Sequence, residues 1–296
     1  MTIFFSRYFI LFTAIFFSLL SQAEPISMQA KLAKLEARVG GRIGLTAINT
    51  SNNERIEYRA DESVPFCSTY KVIDVAAILK KSMEESNFLQ QKIVYKKSGL
   101  IPYSPVTEKH LEEGMTIADL CQAAITYSDN TAANLLTKKL GGPEKVTAFA
   151  RSIGDNQFRL DRWEPELNSA TPKDLRDTTT PKAMAKSLER LVLGDVLALP
   201  QRQLLKTWLI HNTTGNARIR AGTPKGWLVG DKTGTGDYGT TNDIGIIWPP
   251  HCSPIVLALF YTQNKNAAPG NEVIATITDM VINEFISKDA CIPAIN

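Results

Sequence analysis

The chain has 296 residues, 44% hydrophobic and 21% charged, enough to bury a sizeable core in one or two domains. Its formal charge of +3 comes with no run of five like charges, which argues against a nucleic-acid footprint. The three histidines (His110, His211, His251) lie far apart and the four cysteines form no C-x-x-C, so neither a zinc site nor a cofactor is expected.

The N-terminus reads as a secretory signal peptide, residues 1–23, with Arg7, an apolar run over 8–20, and Ser21-Gln22-Ala23 before the cut. That run is shorter than the ~20 apolar residues of a membrane span, and no cysteine follows the cut for a lipid anchor. A secreted, periplasmic chain with no membrane attachment after cleavage is expected. Residues 27–39 carry Met28, Leu32, Leu35 and Val39 at helical spacing and stop at Gly40-Gly41. Residues 43–49 read as a strand, 51–54 as a turn and 55–59 as the return strand. An irregular stretch over 61–67 gives way to a helical run over 71–80. In the loop-rich middle, Thr116-Ile117-Ala118-Asp119 reads as a capping box opening a helix toward Tyr127. Further helices are expected over 131–140, 144–153, from Thr180-Pro181 to Gly194, and over 200–210. From Trp227 the pattern returns to strands, 227–235, 242–248 and 255–263, before an amphipathic helix over 273–286. Strands at both ends with helices between predict a sheet built by the two termini and a helical domain inserted into it. A small-molecule crevice is expected between the lobes. The expected boundaries are 24–64 with 214–296 for the α/β domain and 65–213 for the helical one.

Chemistry enters at Ser68-Thr69-Tyr70-Lys71. A serine at a helix start and a lysine three positions on share one face, which brings an amine near a hydroxyl. The helix N-terminus adds N–H groups that favour an oxyanion. By itself an S-x-x-K turns up about once by chance in a chain this long, and a capping serine beside a solvated lysine is the plain alternative. Three more elements follow in order: Ser128-Asp129-Asn130 between two helical runs, Glu164-Pro165-Glu166-Leu167-Asn168 in a polar segment, and Lys232-Thr233-Gly234 on a strand. Two decoys fail on context. Ser51-Asn52-Asn53 reads as a hairpin turn, and Lys97-Ser98-Gly99 precedes the S-x-N element and lacks a continuing apolar strand.

In this order the elements resemble the class A serine β-lactamases, with their S-x-x-K, S-D-N and K-T-G signatures. The resemblance spans nearly the whole chain after the signal, including residues 103–110, 160–168, 176–181 and 230–239. It implies an α/β fold of the α+β type, with a five-stranded antiparallel sheet flanked by helices and an all-helical domain. It also implies a small-molecule β-lactam substrate. Ser68 is then the nucleophile, with the backbone N–H groups of Ser68 and Thr235 as oxyanion hole. Lys71, or Glu164 through a water, takes the serine proton, and Ser128 passes one to the leaving nitrogen. Tyr103 and Asn130 contact substrate, while Lys232, Thr233, Gly234 and Thr235 receive its carboxylate. Glu164 with Asn168 holds the deacylating water, and Glu166 is a solvated loop acid. Arg162 and Asp177 bracket an Ω-loop over 162–177, with a cis Glu164–Pro165 bond implied by the family. Lys71 is expected to have a lowered pKa because Lys232 and the helix N-terminus make further positive charge costly.

Two departures from the family pattern matter. Thr241 stands where some members place an arginine, and Arg218 resembles the substitute that others use. Cys67 lacks the cysteine that carbapenem-hydrolysing relatives carry just after the K-T-G, so efficient carbapenem hydrolysis is not expected. Thr235-Gly236-Asp237-Tyr238-Gly239 instead resembles the branch acting on oxyimino-cephalosporins, so cephalosporins are expected substrates beside penicillins. Cys121 also lacks its family partner, because Val75 stands there. Cys252 opens the last strand and Cys291 ends the last helix, so these two are expected to pair, with Cys67 and Cys121 as buried thiols. Rival readings are a penicillin-binding carboxypeptidase, a β-lactam sensor domain acylated once, and a serine glutaminase. The carboxypeptidase has no use for Glu164, the glutaminase needs neither export nor the Glu164 loop, and the sensor is expected to be tethered to a transmembrane segment, which the sequence does not show. A monomer is expected.

Overall fold

The computed structural model describes residues 26–264 and 270–292, and the expected signal peptide lies outside them. The N-terminal hairpin is β1 (Arg42–Asn49) and β2 (Glu54–Tyr58). Short pairs follow, β3 (Val64–Pro65) with β6 (Thr178–Thr179) and β4 (Lys92–Ile93) with β5 (Met115–Thr116). The C-terminal strands are β7 (Leu228–Gly236), β8 (Thr240–Trp248) and β9 (Ile255–Thr262). They join the hairpin in one antiparallel sheet of order β2-β1-β9-β8-β7, which brings strands early and late in the chain together.

Helices α1 (Met28–Val39) and α8 (Gly270–Lys288) cover one face of this sheet. The other face packs toward α2 (Lys71–Lys81), α3 (Ile117–Thr126), α4 (Asn130–Leu140), α5 (Pro143–Ser152), α6 (Pro181–Val192) and α7 (Leu199–Ile210). β9 is buried throughout and divides its residues by the two-residue period of a strand. Val256, Ala258 and Phe260 enter the helical core, while Ile255, Leu257, Leu259 and Tyr261 pack with α1 and α8. This is the expected α/β class with its five-stranded antiparallel sheet.

Side-chain caps account for four of the eight helix starts among the described residues. Ser27, Thr116, Asp129 and Thr180 each cap the amide three residues on. The Thr116 box is not reciprocal as expected: the Asp119 carboxylate takes the Thr116 hydroxyl at 2.6 Å rather than reaching back to a main-chain N–H. The Asp129 cap starts α4 at Asn130, one residue before the expected helix, and so fixes Asn130 on its first turn.

Cys252 and Cys291 are bonded, with Cα atoms 5.8 Å apart across a sequence separation of 39. The bridge ties the turn before β9 to the segment beyond α8. Closing a loop of this length is worth about 2–4 kcal/mol. Urea unfolding of a Cys252→Ser, Cys291→Ser protein is expected to show that loss, and an unchanged midpoint would mean the bridge contributes nothing. Cys67 and Cys121 are free and buried, and burial raises the pKa of both thiols.

Candidate active site

Ser68 lies in a 3-10 turn, Cys67–Tyr70, that precedes α2 rather than in the helix itself. Glycine on β7 makes this possible: a Cβ at Gly234 would stand 2.6 Å from the Phe66 carbonyl oxygen, so only glycine lets strand and turn approach so closely. Asn242 completes the support by donating to the carbonyl oxygens of Pro65 (2.8 Å) and Phe66 (3.2 Å).

The expected Ser68–Lys71 contact is replaced by a shared acceptor. Ser68 Oγ donates to Glu164 Oε1 at 3.0 Å, with no water's width between them, and Lys71 Nζ stands 3.0 Å from the same oxygen. Lys71 also donates to Ser128 O (2.8 Å) and Asn130 Oδ1 (2.7 Å), with a longer contact to Ser128 Oγ (3.4 Å), so its ammonium protons are fully engaged. Lys71 is fully buried, and that burial, more than the expected Lys232 charge or helix terminus, pulls its pKa down. The Glu164 carboxylate opposes the shift. Lys232, also fully buried, donates to Ser128 Oγ at 2.9 Å and to its neighbour's carbonyl, Thr233 O, at 2.9 Å. Burial, followed by the Lys71 charge, drives the Lys232 pKa well below that of an ordinary lysine.

Glu164 is 2% exposed and held from three sides. Asn134 accepts from its N–H at 3.0 Å and donates to its C=O at 2.9 Å. Asn168 donates to Oε2, and the Glu164–Pro165 bond is cis. The loop ends are closed by Arg162 Nε on Asp177 Oδ2 at 2.5 Å, while Glu166 is exposed. Asn134 escaped the sequence reading, although its place four residues after Asn130 on one helix face was a usable signal. Ser128 (φ 59°), Tyr103 (φ 64°) and Cys67 (φ 49°) all sit in the left-handed region, a strain that proteins concentrate where side chains must be aimed.

A cavity of about 620 Å³ opens above this network. Ser68, Tyr103, Ser128, Asn130, Asn168, Arg218, Thr233 and Thr235 line it. Gly234 does not; its part is the close approach to the Ser68 turn. Lys71, Glu164 and Lys232 are buried beneath. Thr241 pairs directly with Thr235 across β7 and β8. Arg218 fills the corner there, donating to Thr235 Oγ1 (2.8 Å), Gly234 O (2.9 Å), Asn242 O (2.7 Å) and Asn271 Oδ1 (2.8 Å). Among the described residues no His, Cys, Asp and Glu cluster is arranged to hold a metal ion, and no helix is long and apolar enough to cross a membrane.

Comparison with known proteins adds a family to this geometry. Residues 27–285 match the model of the β-lactamase enzyme family. β-lactamase CTX-M-97 of Escherichia coli is 53% identical over 272 residues, 92% of this chain and 94% of that one. β-lactamase OXY-1 of Klebsiella oxytoca is 54% identical over 260 residues, 88% and 89% of the two chains. A solved structure of an ancestral (GNCA) class A β-lactamase is 53% identical, covers 88% of this chain and 100% of its own, and superposes with a TM-score of 0.86. The chain belongs to the β-lactamase enzyme family, as a class A serine β-lactamase.

Proposed function

We propose that the chain hydrolyses the β-lactam amide of penicillins and cephalosporins through an acyl-enzyme on Ser68, and so confers resistance to them as an exported, periplasmic monomer. One observation carries this reading: Glu164 Oε1 lies 3.0 Å from both Ser68 Oγ and Lys71 Nζ. Ser68 attacks the lactam carbonyl and its proton passes to Glu164. The oxyanion is received by the backbone N–H groups of Ser68 and Thr235. The Lys71 ammonium gives a proton through Ser128 to the departing nitrogen and takes one back from Glu164, which restores the carboxylate. Glu164 then removes a proton from water steadied by Asn168, the hydroxide attacks the ester carbonyl, and the proton returns from Glu164 to the departing Ser68 oxygen. Asn130 spends one amide proton on Pro102 O (3.0 Å), leaving the other for the substrate amide. Tyr103 offers an exposed ring at the mouth. Thr233, Gly234 and Thr235 form the strand edge for the substrate carboxylate, in the field of Lys232.

Intact-mass measurement during turnover of a penicillin, a cephalosporin and a carbapenem tests the reading. A transient adduct lost by Ser68→Ala, with the carbapenem turned over most slowly, is the expected outcome. A wild-type protein that stays permanently tagged by all three would instead be an acyl trap of the carboxypeptidase or sensor kind.

Arg218 belongs to the carboxylate site in this reading. A charge-assisted hydrogen bond there is worth about 1.5–3 kcal/mol, so Arg218→Ala is expected to raise KM for penicillins about tenfold or more. Steady-state kinetics that leave KM unchanged would assign Arg218 to structure alone.

A further inference from the structure

α2 carries an acid where its neighbours carry hydrocarbon. Asp74 lies in Val72-Ile73-Asp74-Val75-Ala76, a run buried along its whole length, and is itself fully buried. It follows Lys71 by three residues, so the two side chains leave the helix on one face, a turn apart. Asp74 Oδ1 accepts from Thr137 Oγ1 of α4 at 3.2 Å. Oδ2 has no hydrogen-bond partner among the described residues. An alanine or leucine would pack there without the cost of burying a half-satisfied carboxyl, so packing does not explain the acid.

The titratable groups near it are few. Lys71 shares its helix, Tyr70 belongs to the preceding turn and Cys121 comes from α3, while α4 offers the hydroxyl of Thr137. Helices α5, α6 and α7 also pack against α2, and among the described residues they present no charge that acts on this carboxyl. Burial keeps Tyr70 and Cys121 neutral, so Lys71 is the charge that Asp74 answers to. Burial raises the Asp74 pKa to about 8, against the pull of Lys71, and draws that of Lys71 down. The two titrations approach one another and are coupled. At low pH Asp74 is a neutral acid, and as pH rises it becomes an anion one turn beneath the ammonium.

We infer that Asp74 is a positioning residue for the reaction, acting through Lys71: its negative charge adds to the larger effects of Glu164 and Asp129 in holding Lys71 protonated, and so carries hydrolysis further into the alkaline range. This rests on the roles given above to Lys71 and Glu164. The sign follows from the coupling. Removing an anion that favours the ammonium lowers the pH at which Lys71 loses its proton.

Asp74→Asn keeps the side chain's size and an acceptor for Thr137. The test reads the pH profile of kcat/KM together with the Lys71 resonance in lysine-labelled protein, assigned by its absence from Lys71→Arg. The alkaline limb and the Lys71 inflection are both expected to move to lower pH by about half a unit or more. A uniform fall in kcat/KM with the limb and the inflection in place would mark Asp74 as structural and overturn the inference. Should Asp74→Asn fail to fold, Thr137→Val is read instead. Withdrawing the carboxyl's donor keeps Asp74 neutral to higher pH, so the limb moves the same way, and an unmoved limb overturns the inference. Wild-type adduct formation on Ser68 separates the two failures. No adduct defeats the site reading, whereas an adduct with an unmoved limb defeats the Asp74 inference alone.

Discussion

Glu164→Gln is expected to lose about a thousandfold in kcat while still accepting a β-lactam on Ser68, so that the acyl-enzyme becomes the main species during turnover. The two halves of the reaction respond differently because of what lies around the carboxylate. In acylation the Ser68 proton has a second acceptor. Burial lowers the Lys71 pKa and the Glu164 charge is the largest influence raising it, so the amide shifts the lysine toward the neutral form, with Asp129 and Asp74 still opposing burial. That amine lies beside Ser128, Asn130 and the residue-164 side chain. In deacylation no such substitute exists. The water must lose its proton on the face held by Asn134 and Asn168, and both of those side chains are amides aimed at residue 164. A stoichiometric burst of product followed by slow turnover, with the added mass seen on intact protein, is the expected signature. A Glu164→Gln protein that turns over within about tenfold of wild type and shows no burst would remove Glu164 from the role of base.

What could be read from the sequence was what is written locally. The strand and helix patterns of 43–49, 131–140 and 255–263 come within a residue or so of β1, α4 and β9, because their periods of 2 and 3.6 register a single buried face or two alternating ones. The motif residues Ser68, Ser128 and Lys232 were identified in order, each at a boundary between elements. Depth was not legible. Lys71 was expected to lose basicity to neighbouring charge, whereas full burial is the larger cause, and no spacing in the chain measures how much protein lies over a side chain. Close approach was equally silent. Gly234 read only as part of a motif and Gly236 lay just past the expected strand, yet a Cβ at Gly236 would meet Asn168 O at 2.5 Å and Cys67 Sγ at 2.6 Å. β8 begins at Thr240, two residues before the expected strand, because Thr240 and Thr241 look like turn residues until they pair with Gly236 and Thr235. In each case the deciding partner is remote in the chain, and tertiary packing overrides the local preference.

The clamp at the foot of the catalytic loop should be the most destabilising single site outside the core. Asp177 is fully buried, with Oδ1 accepting from the N–H groups of Asp161 (2.8 Å) and Arg162 (2.9 Å) and Oδ2 from Arg162 Nε (2.5 Å). Its own carbonyl accepts from Phe66 N at 3.2 Å, so it ties the loop to the turn that carries Ser68. Asp177→Ala strands two amides, leaves the Arg162 guanidinium only Ser169 and the more distant Asp174, and places alanine at φ 56°, where aspartate is tolerated far better. A loss of about 3 kcal/mol or more is expected by urea unfolding. Asp177→Asn, which keeps an acceptor and the left-handed preference, should lose distinctly less. Because Glu164 and Asn168 ride on this loop, the alanine variant should also hold its β-lactam adduct longer than wild type. The competing view is that main-chain bonds suffice, through the β3–β6 pair and Arg159 N on Thr178 O at 2.9 Å. An Asp177→Ala protein with a wild-type unfolding midpoint and wild-type adduct lifetime would decide for that view. The loop would then be held by its backbone, with the buried ion pair as a passenger.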